Sequence, residues 1–461
     1  MVKRQRELSK FWPQVSKKCK GKHQVLFNYI RWLIKGIIAF LSFPVFSKSW
    51  IKLISSSFSG LKTYAGIKGL KMLKKAISNI RLFKEFINLP IPAKVEFLKD
   101  VRRGLMPDPG TEHAVRESIA WLCRAQDCSI SKDGGVARHY NLITGWGALY
   151  PETTGYIIPT LIDFAEKHND EAIIRRVQQM LDWLVKIQFP EGGFQGGTMD
   201  DKPVVPVIFN TGQILLGLSR GAAKFGEPYL EAMHKAADWL VNVQDSDGCW
   251  RKHSTPFAEP GEKAYETHVA WGLFEAACVG HEKKYANAAM RNINWALTKQ
   301  HANGWFSDCC LSEPSRPLTH TIGYVLRGVI EAYRFTKDTS LLHACEKTAN
   351  GILKAIREDG FLPGRLNNDW SGTVKWSCLT GSVQIAQCYL MLYKETGKKE
   401  YLESGLALNS YTRRTVRMDG PPEIRGGVKG SFPINGLYGK YEYLNWASKF
   451  FIDSNLFEQT I

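Results

Sequence analysis

The segments Trp183–Gly193, WLVKIQFPEGG, and Trp239–Trp250, WLVNVQDSDGCW, are copies of one pattern, in which a Trp-Leu helix ends at Gln before a glycine turn. A third copy begins at Trp295, and the three tryptophans are each 56 residues apart. A unit of this length is too small to bury its own apolar face, so it must stack on copies of itself. The period therefore predicts repeated helical hairpins.

Glycine turns mark six repeats, and we expect them at Gly134, Gly193, Gly248, Gly304, Gly360 and Gly420. Each repeat holds two helices, because apolar residues recur at spacings of three and four. Aligned threonines open five of the second helices, and we interpret them as helix caps: Thr154, Thr211, Thr267, Thr321 and Thr380. The second helices carry little charge, so we place them inside. The prediction is an all-α fold, an (α/α)6 toroid of six helical hairpins.

The charge of the chain is concentrated at its amino-terminal end. Its formal net charge is +17, yet residues 1–103 hold 23 Lys and Arg against 4 Asp and Glu, which leaves the remainder almost neutral. We therefore predict a basic, partly apolar helical extension over residues 1–105 and the toroid over residues 106–461. A basic extension beside a neutral body indicates an anionic partner for the extension.

The apolar run Val25–Phe46 is interrupted by Arg31 and Lys35, so it is shorter than the roughly 18 to 20 uncharged residues of a spanning helix. We expect residues 1–80 to lie on an anionic membrane surface instead. A secretory signal and an ordinary helical extension packed on the body are the alternatives. The prediction is a cytoplasmic protein, peripheral to the inner face of the membrane, with export left open.

The ten cysteines show no Cys-x-x-Cys spacing, which favours a reducing compartment. We predict no metal, no cofactor and no nucleic-acid partner. The expected partner of the body is a polysaccharide or oligosaccharide, because the segments before the inner helices are rich in aromatic, acidic and histidine residues. Such segments meet at one end of a toroid, where they would line a cleft.

Aromatic faces and polar side chains are the groups that bind sugar rings and hydroxyls. The predicted substrate-binding residues are Trp146, Tyr150, Tyr156, Asn210, Glu266, Arg316, Trp370, Trp376, Glu442 and Trp446. The predicted catalytic residues are Glu152, His268, His320, Tyr324 and Tyr441.

These residue types leave two chemistries open. Opposed carboxylates among Glu152, Glu266 and Glu442 would serve glycoside hydrolysis. A His or Tyr base, with Arg316 and Asn210 stabilising an enolate, would instead give β-elimination or C5-epimerisation of a uronic acid.

Two resemblances bear on the fold. Gln244–Trp250, QDSDGCW, resembles the Gln-Trp repeat of squalene and prenyl cyclases, in which the pattern clamps outer helices; their Asp-x-Asp-Asp acid motif is absent from this sequence. Gly145–Thr160, GWGALYPETTGYIIPT, and YGKYEYLNWASKFF from Tyr438 resemble six-hairpin toroid proteins of surface-polysaccharide biosynthesis. The second resemblance implies a carbohydrate-active protein.

The sequence thus predicts a protein that processes or modifies a surface polysaccharide or its precursor, as a uronate lyase or epimerase or as a glycoside hydrolase. The alternatives are a non-catalytic glycan-binding or assembly factor and a terpenoid-cyclase-like enzyme.

Overall fold

The computed structural model describes residues 85–129 and 132–461. The predicted membrane-surface segment, residues 1–80, lies outside the described residues. One compact unit spans Leu89–Ile461. Its helices are α1 (Ile91–Arg103), α2 (Thr111–Asp127), α3 (Pro151–His168), α4 (Glu171–Ile187), α5 (Ile208–Phe225), α6 (Tyr229–Asn242), α7 (Thr267–Gly280), α8 (Lys283–Leu297), α9 (Thr319–Thr336), α10 (Thr339–Leu353), α11 (Leu379–Thr396), α12 (Lys399–Arg413) and α13 (Asn445–Glu458).

The odd-numbered helices from α3 to α13 form a closed inner ring. Each packs against the next, and α13 returns to contact α3. The outer helices, α2 to α12 in even numbers, cover them, and α2 packs on α13. The inner helices bury residues around much of their circumference, as expected for helices covered on several sides. The predicted all-α (α/α)6 toroid is confirmed.

Short strands pair the loops that precede the inner helices. The strands are β1 (His139–Asn141), β2 (Gly145–Trp146), β3 (Ser377–Cys378), β4 (Ser431–Phe432) and β5 (Glu442–Leu444). β1 pairs antiparallel with β2 and with β5, and Tyr140 lies opposite Tyr443. Since β1 precedes α3 and β5 precedes α13, this sheet fastens the first loop to the last.

The glycine turns pack on the outer wall in a cyclic order. A Cβ at Gly134, Gly192, Gly248, Gly304, Gly360 or Gly426 would collide with a backbone carbonyl of the neighbouring outer helix, in turn α4, α6, α8, α10, α12 and α2. All six glycines have a positive φ. The turns at Gly193 and Gly420 are therefore displaced from the sequence prediction: the equivalent glycines are Gly192 and Gly426, and Gly426 contacts Glu117 of the first outer helix.

Glutamines at the ends of outer helices hold these turns in place. The Nε2 of Gln188 donates to the carbonyl oxygens of Gly192, at 2.9 Å, and Ala232, at 3.0 Å. The Nε2 of Gln244 makes the equivalent bonds to Gly248 and Ala288. Each glutamine thus joins its own turn to the next outer helix.

The aligned threonines are not helix caps, so that interpretation was wrong. Thr154 lies inside the first turn of α3, which is capped by Tyr150. Its Oγ1 accepts from the backbone N of Val136 at 3.0 Å, and Thr211 accepts from Phe194 at the same distance. These two threonines tie the preceding glycine loop to the inner helix instead.

Helix α1 is fastened to the toroid by buried polar groups. Asp100 accepts from Lys429 Nζ at 2.5 Å and from the backbone N of Ile434 at 2.9 Å. Glu96 accepts from Tyr443 OH at 3.4 Å. Among the described residues, no helix is both long enough and apolar enough to cross a membrane.

Candidate active site

A cluster of side chains occupies the end of the ring where the inner helices begin. It brings together eight of the predicted residues from α3, α5, α7, α9 and α13 and their preceding loops: Tyr150, Glu152, Tyr156, Asn210, His268, His320, Tyr324 and Trp446. Their ring contacts, hydrogen bonds and electrostatic influence on one another place them side by side. The inner helices all enter the ring at this end, which is why residues far apart in sequence meet here.

Two histidines at the centre share one tyrosine. The rings of His268 and His320 lie 4.5 and 4.4 Å from the ring of Tyr324, measured between centroids. The Nδ1 of His268 is 2.6 Å from Oε1 of Gln213, and the Nδ1 of His320 is 2.9 Å from Oε1 of Gln384. Four consecutive inner helices, α5, α7, α9 and α11, therefore supply one symmetric group.

The glutamines assign the tautomer of each histidine. Because the amide oxygen accepts, Nδ1 carries the proton, and Nε2 is left with its lone pair. Within the described part of the chain, the buried Nε2 of His268 has no hydrogen-bond partner, nor have the amide nitrogens of Gln213 and Gln384. Buried polar atoms without partners are costly, so this arrangement is suited to a polar ligand that completes them.

Both histidines are neutral at ordinary pH. Burial lowers the pKa of His268 well below its usual value, and the positive charges of Arg327 and Lys449 lower it further. Burial also lowers the pKa of His320, to about 4, against the opposing effect of its bond to Gln384. An uncharged imidazole can accept a proton at its lone pair, and its lowered pKa makes it a weaker base than an exposed histidine.

Aromatic rings form a layer beneath the histidines. The rings of Phe209 and Phe450 lie 5.0 and 5.9 Å from that of Tyr324, and Tyr156 lies 5.4 Å from Phe450. Burial raises the pKa of Tyr156 and of Tyr324 well above the usual tyrosine value. Both phenols therefore keep their protons, and the layer has no charge of its own.

Glu152 is a buried carboxyl that holds a proton near neutral pH. Burial raises its pKa to about 7, although the hydrogen bond from Tyr150 and the charge of Arg138 both oppose the shift. The hydroxyl of Tyr150 donates to Oε2 at 2.8 Å. A carboxyl in this state can donate a proton as a general acid.

Arg138 is the cationic group beside this cluster. Its guanidinium lies 5.0 Å from the ring of Trp446 and 3.5 Å from Oε2 of Glu442. The Trp446 Nε1 donates to Tyr438 OH at 2.7 Å, and the Tyr438 ring lies 5.3 Å from that of His320. Arg138 and Tyr438 therefore extend the site from the histidines to its rim. Glu442 is connected to the site by its ion pair with Arg138.

Several predicted residues lie elsewhere. Trp370 donates to the carbonyl oxygen of Asn303 and packs on Trp305 in the loops of the outer wall. Trp146 packs on Trp121 of the outer helix α2. Neither ring contacts the histidine cluster in the described structure, because both fill space between loops and outer helices.

Other predicted residues are separated from the histidines by their local partners. Arg316 pairs with Glu313 near the surface. Glu266 is buried at the start of α7 beside Lys263; its Oε2 has no hydrogen-bond partner among the described residues, and burial raises its pKa well above the usual value. Trp376 packs against Gly364 and Gly436 between the loops.

Tyr441 precedes β5, where its backbone bonds to Leu142 and Ile434 fasten the loop. These backbone bonds make Tyr441 part of the segment that closes the ring.

The sequence analysis missed Gln213, Gln384, Arg138 and Tyr438. A signal for the glutamines exists, since they follow the aligned Thr211 and Thr380 by two and four residues and so share the entry end of the inner ring. Arg138 gave no such signal, because its position depends on the pairing of β1 with β5.

The comparisons with known proteins agree with this architecture. The family model for the squalene-hopene cyclase C-terminal domain matches residues 143–329. A squalene–hopene cyclase from Bradyrhizobium diazoefficiens is 25% identical over 139 residues, which are 29% of this chain. The match spans only 20% of that cyclase, a fifth of its length.

Solved structures share the toroid. An unsaturated glucuronyl hydrolase specific for heparin superposes with a TM-score of 0.61 and 15% identity over 76% of this chain and 97% of its own. A cellobiose 2-epimerase from Bacillus thermoamylovorans superposes with a TM-score of 0.57 and 11% identity over 79% of this chain and 98% of its own. The resemblance to α/α toroids, including the cyclase toroid, is confirmed, and at these identities it concerns the fold.

Proposed function

We propose that this protein is a carbohydrate-processing enzyme that transfers protons at a carbon atom of a sugar, as an epimerase or lyase of uronic acid residues. The observation that carries the proposal is the pair of neutral histidines, each oriented by a glutamine and both packed against Tyr324. We further propose that the substrate belongs to a surface polysaccharide or its precursor, on the resemblance of Gly145–Thr160 to proteins of that biosynthesis.

The chemistry follows from the protonation states. The Nε2 of His268 takes the proton from the carbon next to the carboxylate, the C–H bond breaks, and its electron pair moves onto the carboxylate as an enolate. Arg138 is the nearby cation that stabilises this added charge. Return of a proton to the opposite face gives the epimer. Because the only proton of neutral His320 lies on Nδ1, its Nε2 first takes a proton from solvent and then delivers it to the carbon, while His268 releases to solvent the proton that it removed.

Elimination needs a proton for the departing oxygen. In that case the enolate collapses, the bond to the glycosidic oxygen breaks, and the neutral carboxyl of Glu152 supplies the proton. Its pKa of about 7 keeps it in the acid form at the start of the reaction.

A sugar suits this site better than an isoprenoid. The free amide nitrogens of Gln213 and Gln384 would stay unpartnered against a hydrocarbon, whereas sugar hydroxyls can satisfy them. The absence of Asp-x-Asp-Asp from the sequence also disfavours protonation of an alkene. The names of the structural neighbours, glucuronyl hydrolases and sugar epimerases, agree with a saccharide substrate.

Glycoside hydrolysis is the second candidate, and Glu152 favours it. A protonated carboxyl can also cleave a glycosidic bond when a second carboxylate acts as base or nucleophile. Glu442 is the carboxylate of the site rim, linked to the cluster through Arg138. A glycan-binding or assembly factor without catalysis would retain the aromatic and amide groups but would not need these protonation states.

Product analysis distinguishes these functions. Purified protein is incubated with uronate-containing and neutral oligosaccharides, beside His268→Gln and Glu152→Gln variants. Absorbance near 230 nm from an unsaturated uronate identifies the lyase, and a new sugar stereoisomer by NMR identifies the epimerase. New reducing ends without either signal, lost in Glu152→Gln and retained in His268→Gln, would replace the proposal with hydrolysis. Binding without any product would identify a non-catalytic factor.

We also propose that the basic extension, residues 1–80, holds the enzyme at the inner face of a membrane. The excess of Lys and Arg in this part of the sequence supports attraction to anionic lipid. Cell fractionation of a variant that lacks residues 1–60 tests this, because unchanged membrane content would contradict it.

A further inference from the structure

A cavity opens at the surface where the inner helices end and runs into the middle of the ring. It has a volume of about 420 Å³ and is lined by residues from the second turn of the inner helices onward. Its lining includes Tyr156, Trp271, Arg327, Gln387, Lys449 and Asp453, and it reaches the surface beside Lys167, Gln459 and Thr460. Ligand pockets have volumes of roughly 300 to 1,000 Å³, so this cavity is large enough for a small molecule.

Arg327 is the guanidinium of this cavity. Its Nε donates to Glu331 at 2.7 Å and its Nη1 to Gln387 at 2.8 Å, while the indole of Trp271 lies 4.2 Å away. These bonds use two of the five N–H groups of an arginine. Its side chain is only 12% exposed, so the orientation of the planar group is fixed by its partners.

Lys449 supplies a second cation. Its Nζ lies 2.5 Å from Oδ2 of Asp453, whose Oδ1 accepts from Thr160 at 2.5 Å. The ammonium is also 4.2 Å from the ring of Phe450 and 5.4 Å from that of Tyr156. Lys449 is 3% exposed, and burial lowers its pKa.

The floor of this cavity adjoins the histidine cluster. Tyr156 belongs to both, and Trp271, which lies against Arg327, makes an edge-on contact with His268 at 5.0 Å. The charges of Arg327 and Lys449 lower the pKa of His268, but no proton transfer assigned to the histidines passes through either side chain. Each cation is paired with a carboxylate and keeps further N–H groups that a ligand in the cavity can use.

We propose that this cavity is a second binding site, for a hydroxylated anion of monosaccharide size that carries a carboxylate or a phosphate. Arginine presents a planar fork that fits either anion, and Lys449 adds a point charge beside it. Gln387, Thr160 and Asp453 provide amide, hydroxyl and carboxylate groups for sugar hydroxyls, and Trp271 and Tyr156 provide aromatic surface. The site does not depend on the proposed reaction, since it requires binding only.

Calorimetric titration of the full chain tests this site. The probes are glucuronate for the carboxylate, glucose 6-phosphate for the phosphate and glucose as the uncharged reference. We expect at least one anion to bind at least tenfold more tightly than glucose. The anion that binds more tightly shows whether the site prefers a carboxylate or a phosphate.

Substitution of Arg327 locates the site. Arg327→Met should weaken anion binding at least tenfold, and Glu331 keeps Arg334 as a partner at 2.9 Å, so its charge is not left alone. Arg176→Met is the matched control: this arginine pairs with Asp127 at 2.7 Å in the outer wall, and neither residue lines the cavity. If Arg327→Met fails to fold, Arg327→Lys, which keeps the charge and loses the fork, should weaken binding about threefold to tenfold.

Three results would overturn the proposal. The first is that neither anion binds more tightly than glucose. The second is equal anion affinity in the Arg327 variant and in Arg176→Met. The third is loss of binding in His320→Gln with binding retained in the Arg327 variant, because the anion would then occupy the histidine end.

Discussion

The entry end and the middle of the inner ring use buried polarity in different ways. Where the inner helices begin, His268 and His320 are neutral, Glu152 has a raised pKa, and the side-chain amide nitrogens of Gln213 and Gln384 lack partners within the described structure. In the middle of the ring, Arg327 and Lys449 are cations with carboxylate partners beside a cavity. The first region has groups that can exchange protons, and the second has fixed charges that suit binding.

Loss of either histidine is expected to have the largest effect. His268→Gln or His320→Gln should lower turnover of the sugar substrate by about 10²- to 10⁴-fold, because a proton-transfer group is removed. Steady-state kinetics measures this, with thermal unfolding to confirm that the variant folds. If both variants retain full turnover, the distinction between the entry end and the middle of the ring is wrong.

Closure of the ring is tested by two glycines near the entry end. Gly426→Ala should reduce the free energy of unfolding by about 4 kcal/mol, because the new Cβ collides with the carbonyl of Glu117. Gly420→Ala, at a φ of +93° and with nothing nearer than 3.9 Å, should cost only about 1 to 2 kcal/mol in backbone strain.

Urea unfolding of both glycine variants gives the comparison. Equal losses would mean that Gly426 does not fasten the last turn to the first outer helix.

Glu152 should make stability depend on pH. Its pKa rises from an ordinary 4.5 to about 7 in the folded protein. Below pH 4.5 the carboxyl is protonated in both states; as pH rises toward 7 the unfolded chain loses the proton first, so the folded state becomes less stable by about 3 kcal/mol. Glu152→Gln removes this loss, so it should be more stable than the unsubstituted protein at pH 8 and not at pH 4.

Urea unfolding at both pH values measures the effect of Glu152, with Glu171→Gln as an exposed control at the start of an outer helix. A stability difference between Glu152→Gln and the unsubstituted protein that is the same at pH 4 and pH 8 would show that Glu152 is not held in its acid form.

The smallest effect is expected at the glutamine that orients His268. Gln213→Met should lower turnover about 10- to 100-fold, because Nδ1 loses its acceptor. Gln213→Glu keeps an acceptor and adds a negative charge that raises the pKa of His268. Turnover should therefore recover, and the acidic limb of the pH–rate profile should move to higher pH. A pH–rate profile separates this positioning role from a packing role, which would not move the limb.

The fold could be predicted because one period governs it. The spacing of Trp183, Trp239 and Trp295 reflects the contact of each hairpin with the next, and the structure has the same order. The predicted position of the last glycine turn was wrong, because the period is broken there. Gly420 fitted the spacing, but Gly426 meets Glu117, because the last turn must contact the first outer helix across the closure.

The site could be predicted only in part. His268, His320 and Glu152 lie near the starts of inner helices, so the repeat predicted that their side chains would lie close together. Arg138 depends on the strand pairing that closes the ring, and no local pattern indicated it. Trp370 shows the opposite case. In sequence, an aromatic loop residue resembles a platform for a sugar ring, but in the structure its indole fills the outer wall.

Proton exchange with solvent tests the central claim most directly. Uronate-containing and neutral oligosaccharides are incubated with the protein in deuterated water, and NMR follows deuterium at each sugar carbon. We predict that one C–H position exchanges with the unsubstituted protein and that this exchange is lost in His268→Gln and His320→Gln. Turnover of a glycan without deuterium entering any carbon position would contradict the histidine mechanism.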